Sequence, residues 1–281
     1  MIEHAVATPQ APEQAELPPL RRTVGVRFRV ELLSFLRGKE SVVFTLAFPP
    51  LLLVIFGAVF GRQQLPGGIS FAQYFVPGMI ASGLLASSFQ NLAISIPIER
   101  DTGSLKRLQA TPMPPSAYFL GKVLLVGVIS LVEIVLLMVI GLLFYDLSLP
   151  TEASRWLTFA WVVVFGVAAC TLLGVAFSGF VRNGESAPAI VSPIAIVLQF
   201  ISGVYFVFSA LPPWMQQIAS VFPLKWMTQG MRSVFLPDAY TVNEPAGTWE
   251  HGRIALVLAL WCVAGLVLAL RFFRWRSRED G

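Results

Sequence analysis

Charged side chains are scarce in this 281-residue chain. Asp, Glu, Lys and Arg together make up 13% of it, where an ordinary soluble domain carries about 25%. The shortage is uneven: long stretches carry almost no charge, and the charges collect between them. This excludes a soluble domain of ordinary composition and implies a polytopic helical membrane protein, because hydrocarbon admits only spans whose backbone groups are satisfied internally. Segments of about ten residues alternating in polarity are missing, which argues against an outer-membrane barrel.

Cysteine and histidine are equally sparse. Cys170 and Cys262 lie far apart in apolar stretches, and the histidines are His4 and His251. No CxxC or Cys/His cluster occurs, so no metal site is expected, and the cysteines read as packed free thiols. A serine hydrolase needs a base beside its nucleophile. Ser178-Gly179 has no histidine in any apolar stretch to serve it, which weighs against an intramembrane protease. The phosphate-cradling G-x-x-x-x-G-K-[ST] is missing too. Gly38-Lys39 runs into Glu40 and Gly121-Lys122 into Val123. The chain is expected to bind no ATP and to be no enzyme by itself. No signal peptide is expected either: residues 1–20 contain Pro9, Pro12, Pro18 and Pro19 and no apolar core, and read as a disordered cytoplasmic tail.

What is abundant is apolar sequence: 56% of residues, with a mean hydropathy of +0.71. Six spans are predicted, at about 41–60, 71–98, 117–145, 156–181, 187–208 and 254–273, each near the 20 or so residues that cross about 30 Å of hydrocarbon. Of the 20 Lys and Arg residues, only Arg62, Arg155, Lys225, Arg232 and Arg253 fall on the side away from the termini. The positive-inside rule therefore places both termini in the cytoplasm. The basic excess, net +4, is spent on topology, so no nucleic-acid partner is implied. Residues 21–273 form one membrane domain, followed by a basic tail at 274–281.

Three segments outside the spans have their own patterns. In 20–40, Val24, Phe28, Leu32, Phe35 and Leu36 recur at spacings of three and four, which predicts an amphipathic helix in the membrane interface. Between 209 and 253, two short segments, one opened by Pro212-Pro213 and one near 224–236, are too short to span. They read as external re-entrant or interface-lying helices with tryptophans at headgroup level. The loop between spans two and three predicts a short amphipathic helix near 100–111, capped by Asp101 or Thr102. Leu105 and Leu108 share its apolar face, and Thr111-Pro112 stops it. Such a helix suits docking into a groove on another protein; a solvated basic loop is the competing reading.

Glu99, Arg100, Gly103, Ser104, Leu105, Leu108, Thr111, Pro112, Gly121 and Lys122 in that loop resemble the signature of the ABC-2 type permeases, with Ser104 where threonine is usual. Residues 76–80, Ser202-Gly203-Val204, Leu211 to Trp214, Phe222-Pro223-Leu224 and Arg232 resemble that family at their own places, so the likeness runs from about 20 to 272. The short first external loops resemble the drug-resistance and polysaccharide-export branches. The resemblance implies a six-span all-α permease that dimerises, with an interface helix at 20–40, a coupling helix at 100–111 and external re-entrant helices at 210–236. Its partners would be two ABC ATPase subunits carrying ATP and Mg2+, a second permease chain (a homodimer), membrane lipid, and an exported hydrophobic small molecule or a lipid-linked glycan.

Candidate path residues are the few polar ones within spans. Ser87, Gln90, Asn91 and Ser95 follow helical spacing in span two, and Ser192, Gln199 and Ser202 in span five, with Tyr205, Phe206 and Phe208 next. Ordinary interhelical hydrogen bonds use the same residue types. Glu133 is the only acid deep in a span. It reads either as a structural carboxyl bonded to a neighbouring helix or as a contact for a cationic substrate. An ion-coupled secondary transporter stays as an alternative, although Glu133 alone would serve its coupling and no inverted repeat is visible.

Overall fold

A computed structural model describes residues 19–61, 63–65, 68–273 and 275. Most of the expected tails, 1–18 and 276–281, fall outside the described residues, as do Arg62 and Arg274. Among the described residues there is no strand, only an isolated bridge between Gln64 and Ser70. The chain is an all-α polytopic membrane protein. Among the described residues, four helices are long and apolar enough to cross a membrane, and two apolar helices are shorter.

The first helix, α1 (Leu20–Arg37), is the expected amphipathic segment. It lies along α7, packing Phe28, Leu32 and Phe35 against Leu125 and Ile129. Leu36, predicted to share that face, is exposed instead. A continuous helical stretch follows: α2 (Lys39–Val42), a wide π turn at Val43–Ala47, and α3 (Phe48–Phe60). The π turn sits just ahead of Pro49 and Pro50, whose missing N–H groups break the regular ladder.

α4 (Phe71–Leu85) opens with a capping box. The Gln73 amide donates to Ser70 Oγ at 3.2 Å and the Ser70 amide to Gln73 Oε1 at 3.0 Å. A second π turn, Ala86–Gln90, joins it to α5 (Asn91–Asp101). Next come α6 (Ser104–Gln109), α7 (Pro115–Phe144) and α8 (Ala153–Ser178). α9 (Ala187–Ile201) is shorter than the expected 187–208. At 1.5 Å per residue it covers only about 22 Å. Its end is set by Gly203, at φ +74, a backbone state that favours glycine, and the chain turns through Phe208–Ala210.

α10 (Pro213–Val221) is amphipathic, with Trp214, Ile218 and Val221 exposed. α11 (Pro223–Phe235) rules out the interface-lying alternative of the sequence reading and leaves the re-entrant one. It does not lie on a surface: every one of its residues is buried, among α4, α8 and α12 (His251–Phe272). Trp226 is therefore interior, and only Trp214 keeps the exposure expected of an interfacial tryptophan. The principal apolar core joins α4, α8, α11 and α12.

Candidate functional site

The junction of α5 and α6 gathers the signature residues. Gly103, at φ +70, breaks the helix between Asp101 and Ser104. Neither Asp101 nor Thr102 caps α6, contrary to expectation. The Asp101 carboxylate accepts the Gly184 amide instead, and Thr102 Oγ1 donates to the Glu99 carbonyl at 3.2 Å. The expected 100–111 helix is thus two pieces: Glu99, Arg100 and Asp101 form the last turn of α5, and α6 keeps only 104–109. Beyond it, Thr111 Oγ1 donates to the Leu108 carbonyl at 2.6 Å, and Pro112 follows.

The apolar side of α6 turns largely toward its own bundle, with Leu108 half-exposed beside α1. Leu105 is fully buried, in a cluster with Leu92, Ile96, Tyr118 and Val126, and Leu108 packs on the same cluster. Burying Leu105 contributes about 2 kcal/mol to seating α6 on its own bundle. Sequence spacing showed an apolar face without showing what covers it. The exposed surface is Lys106, Arg107, Gln109, Ala110, Thr111 and Pro112.

Glu99 and Arg100 fasten this junction in two directions. The Glu99 carboxylate pairs with Lys122 of α7 and, at 3.1 Å, with Arg27 of α1, and it accepts the Tyr118 hydroxyl at 3.1 Å. Lys122 also reaches Glu31 at 3.0 Å, and Arg27 pairs with Glu31 one turn along. Two cations and two anions thus close a ring in which Lys122 is almost wholly shielded from solvent. The Arg27 guanidinium lies 4.9 Å from the Tyr118 ring centre. Gly121 makes room for α1: a Cβ there would come within 2.6 Å of Arg27 Cγ.

Arg100 points the other way. It donates to the carbonyls of Ser178 (3.3 Å), Val181 (2.5 Å) and Arg182 (3.2 Å), where α8 ends. A cation there satisfies carbonyls that the helix leaves unbonded and meets the negative end of its dipole. Adjacent residues of α5 therefore grip α1 and α7 on one side and the α8–α9 connection on the other.

A groove of about 560 Å3 runs between α2–α3, α4–α5 and α9. Three of the candidate path residues, Gln90, Asn91 and Gln199, line it together with Ser82, Ser95 and Ser192. Gln90 Nε2 donates to Ser192 Oγ at 3.1 Å, and Ser82 Oγ to Gln199 Oε1 at 2.9 Å. The Asn91 amide nitrogen is buried without a hydrogen-bond partner. Phe48, Pro49, Leu52, Met79, Ile94 and Ile196 give the groove its apolar side.

The remaining path candidates lie elsewhere. Ser87 bonds Ser130 of α7 at 2.9 Å and does not share the groove with Gln90. The π turn at 86–90 is the cause: its extra residue per turn rotates Ser87 off the stripe that a regular helix would keep. Ser202 lies past the end of α9, buried with no hydrogen-bond partner for its hydroxyl. Tyr205 is buried in an aromatic group with Phe56, Phe75 and Phe200, and its hydroxyl donates to Gln199. Phe206 is exposed. Glu133 is buried against Gly83 of α4, outside the groove, and neither carboxylate oxygen has a hydrogen-bond partner. The expected hydrogen bond to a neighbouring helix is not made among the described residues.

Two features escaped the sequence reading. Arg27 and Glu31 fall at 24, 27, 28, 31, 32, 35 spacing, so the inward face of α1 already contained them. At the far end of the bundle, Arg232 is fully buried. Its guanidinium stacks 3.6 Å from the Tyr74 ring centre and donates to the Gly203 carbonyl. The signal was Lys225, Gln229 and Arg232 at spacings of four and three, a polar stripe on a helix with no solvent face. Arg155 closes the end of α11 as Arg100 closes α8, donating to the Leu236 carbonyl at 2.7 Å and pairing with Asp238 at 3.1 Å.

Comparison with known proteins identifies the family. Residues 24–236 match the family model described as ABC-2 type transporter. The inner membrane transport permease YadH of Escherichia coli K12 is 25% identical over 194 residues, covering 66% of this chain and 72% of that protein. The putative transport permease YvfS of Bacillus subtilis is 25% identical over 193 residues, covering 69% and 77%. The probable multidrug ABC transporter permease YbhR of Escherichia coli K12 is 21% identical over 178 residues, covering 63% and 48%. With a family model spanning most of its length and a helical bundle to match, the chain belongs to the ABC-2 type transporter family.

Proposed function

We propose that this chain is the membrane subunit of an ATP-driven exporter whose ATPase is a separate chain. Its place is the inner or plasma membrane, with both termini cytoplasmic. Two ATPase subunits, which carry the ATP and Mg2+, dock on two copies of the permease, and the cargo is a hydrophobic or amphipathic small molecule. The observation that carries this reading is the α5–α6 junction. It presents a basic, solvent-facing surface, and Glu99 and Arg100 tie it rigidly to α1, α7 and the α8–α9 connection. A push on α6 is passed to three elements together, which is what a coupling element must do. The groove between α3, α5 and α9 supplies a path surface whose polar side is held by Gln90 and Gln199. The multidrug name of YbhR favours a small molecule over a lipid-linked glycan.

The test is co-purification of the chain with candidate ATPase subunits in detergent, with Lys106→Glu plus Arg107→Glu as the variant. Both side chains are exposed, so the change leaves the bundle intact, whereas aspartates at Leu105 and Leu108 would unfold it. A wild-type complex that hydrolyses ATP, and that the variant dissociates or uncouples, supports the proposal. A folded wild-type permease that captures no ATPase removes it, and the ion-coupled transporter takes its place.

A further inference from the structure

We propose that the groove between α2–α3, α5 and α9 accepts an amphipathic organic cation and rejects amphipathic anions, phosphate-linked glycans included. The inference deepens the exporter reading and rests on it for the role of the groove.

The argument starts from charge. Glu40, in the first turn of α2, is the only ionisable residue lining the groove; no Arg or Lys lines it among the described residues. No hydrogen bond or ion pair occupies the Glu40 carboxylate, and its side chain is exposed at the rim. Several other ionic groups at this end are matched within the bundle, Arg27, Glu31, Glu99 and Lys122 in their ring and Arg100 on the α8 carbonyls, while Arg37 and Lys39 beside Glu40 are exposed and line no part of the groove. The carboxylate of Glu40 is left to act on whatever enters.

The walls give the rest of the specificity. The volume, about 560 Å3, suits one drug-sized molecule. One side is apolar. The other offers neutral hydroxyls and amides, and the buried, unpaired Asn91 amide nitrogen is a donor waiting for an acceptor atom or a ring face. A phosphate or diphosphate group needs arginine or lysine, or several converging amides, to replace its water. The groove offers it none and places a carboxylate at the entrance. An organic cation leaves water more easily and gains Coulomb attraction to Glu40 at the rim, where solvent and salt weaken it without reversing its sign.

Two hydrophobic ions of nearly the same size and opposite sign test this directly. The full chain is reconstituted in phosphatidylcholine nanodiscs without an ATPase. Saturable binding of tetraphenylphosphonium and of tetraphenylborate is measured by equilibrium dialysis against empty discs. The expected result is saturable binding of the cation only, weakened about 10-fold by Glu40→Gln and abolished by Glu40→Lys, while Glu40→Asp retains it. The unpartnered, exposed position of Glu40 keeps these variants folded, and size-exclusion profiles check that. Equal binding of both ions, no saturable cation binding, or cation binding indifferent to Glu40→Gln would each overturn the proposal. Because no ATPase is present, cation binding without ATPase capture removes the exporter reading alone, and ATPase capture without cation binding removes this one alone.

Discussion

Glu99 of α5 and Lys122 of α7 meet inside a closed ring of charges with Arg27 and Glu31 of α1. The ring is balanced, so removing a single member leaves an unmatched charge in a largely dehydrated place. Breaking a buried pair by deleting one partner costs about 3–5 kcal/mol. Lys122 is 3% exposed and Glu99 21%, so the lysine should carry the larger penalty and the glutamate a discounted one. Lys122→Met is expected to lower the thermal midpoint in detergent more than Glu99→Gln does. The double variant, which restores neutrality, should recover part of the loss. Additive effects of the two changes in fluorescence-detected melting would show that the pair is not coupled.

Arg100 gives a second prediction. Its guanidinium serves three carbonyls at the end of α8, a spread that one ammonium group does not reproduce. Arg100→Lys keeps the charge and is still expected to loosen residues 179–184, losing about 1.5–3 kcal/mol of local stability. Hydrogen exchange by mass spectrometry would read this as faster exchange of peptides covering 179–184, with peptides of α12 unchanged. Unaltered protection would mean that the charge alone suffices.

The third prediction concerns pH and the connection between α11 and α12. Burial raises the Glu244 carboxyl above its ordinary range; Arg232 and Lys225 nearby partly offset this, and Glu250 adds to it. A carboxyl raised in the folded state binds its proton more readily there than in the unfolded chain. Its contribution to stability is full below the unfolded value of about 4.3 and is lost as pH rises through the higher folded value. Melting midpoints should therefore fall as pH climbs out of the ordinary carboxylate range. Glu244→Gln, which stays neutral, should flatten that part of the curve. A Glu244→Gln profile parallel to wild type would assign the pH dependence to other groups.

Much of this architecture is legible in the sequence because apolar runs of spanning length have few other physical uses. The ends of the spans and the amphipathic α1 follow from proline, glycine and charge placement. What the sequence does not reveal is which face meets which neighbour. The period assumed for span two fails at the π turn of 86–90, so Ser87 leaves the stripe that Gln90 and Asn91 keep. The hydrophobic side of α6 is recognisable, yet its cover is the bundle itself. In α11, Lys225 and Arg232 look external because charges are normally solvated. The aromatic rings of Trp226 and Tyr74, each 3.6 Å from a cationic group, let those charges be buried.

The contact between Glu133 and Gly83 yields the last prediction. A carboxyl buried on α7 with no hydrogen-bond partner is tolerated because α4 has no side chain opposite it; a Cβ on Gly83 would collide with both carboxylate oxygens and Cδ. Overpacking of this kind typically costs about 1–3 kcal/mol. Gly83→Ala should therefore destabilise the protein, and Glu133→Ala, which removes the obstructing atoms, should rescue it. Glu133→Gln, with the same shape and no charge, should not. A steric relationship thus predicts a strong positive coupling in the first double-mutant cycle and almost none in the second. If Glu133→Gln rescued Gly83→Ala as well as Glu133→Ala does, the charge of the carboxyl, and not its volume, would be what α4 makes room for. Measuring both cycles by thermal unfolding in the same detergent separates the two cases.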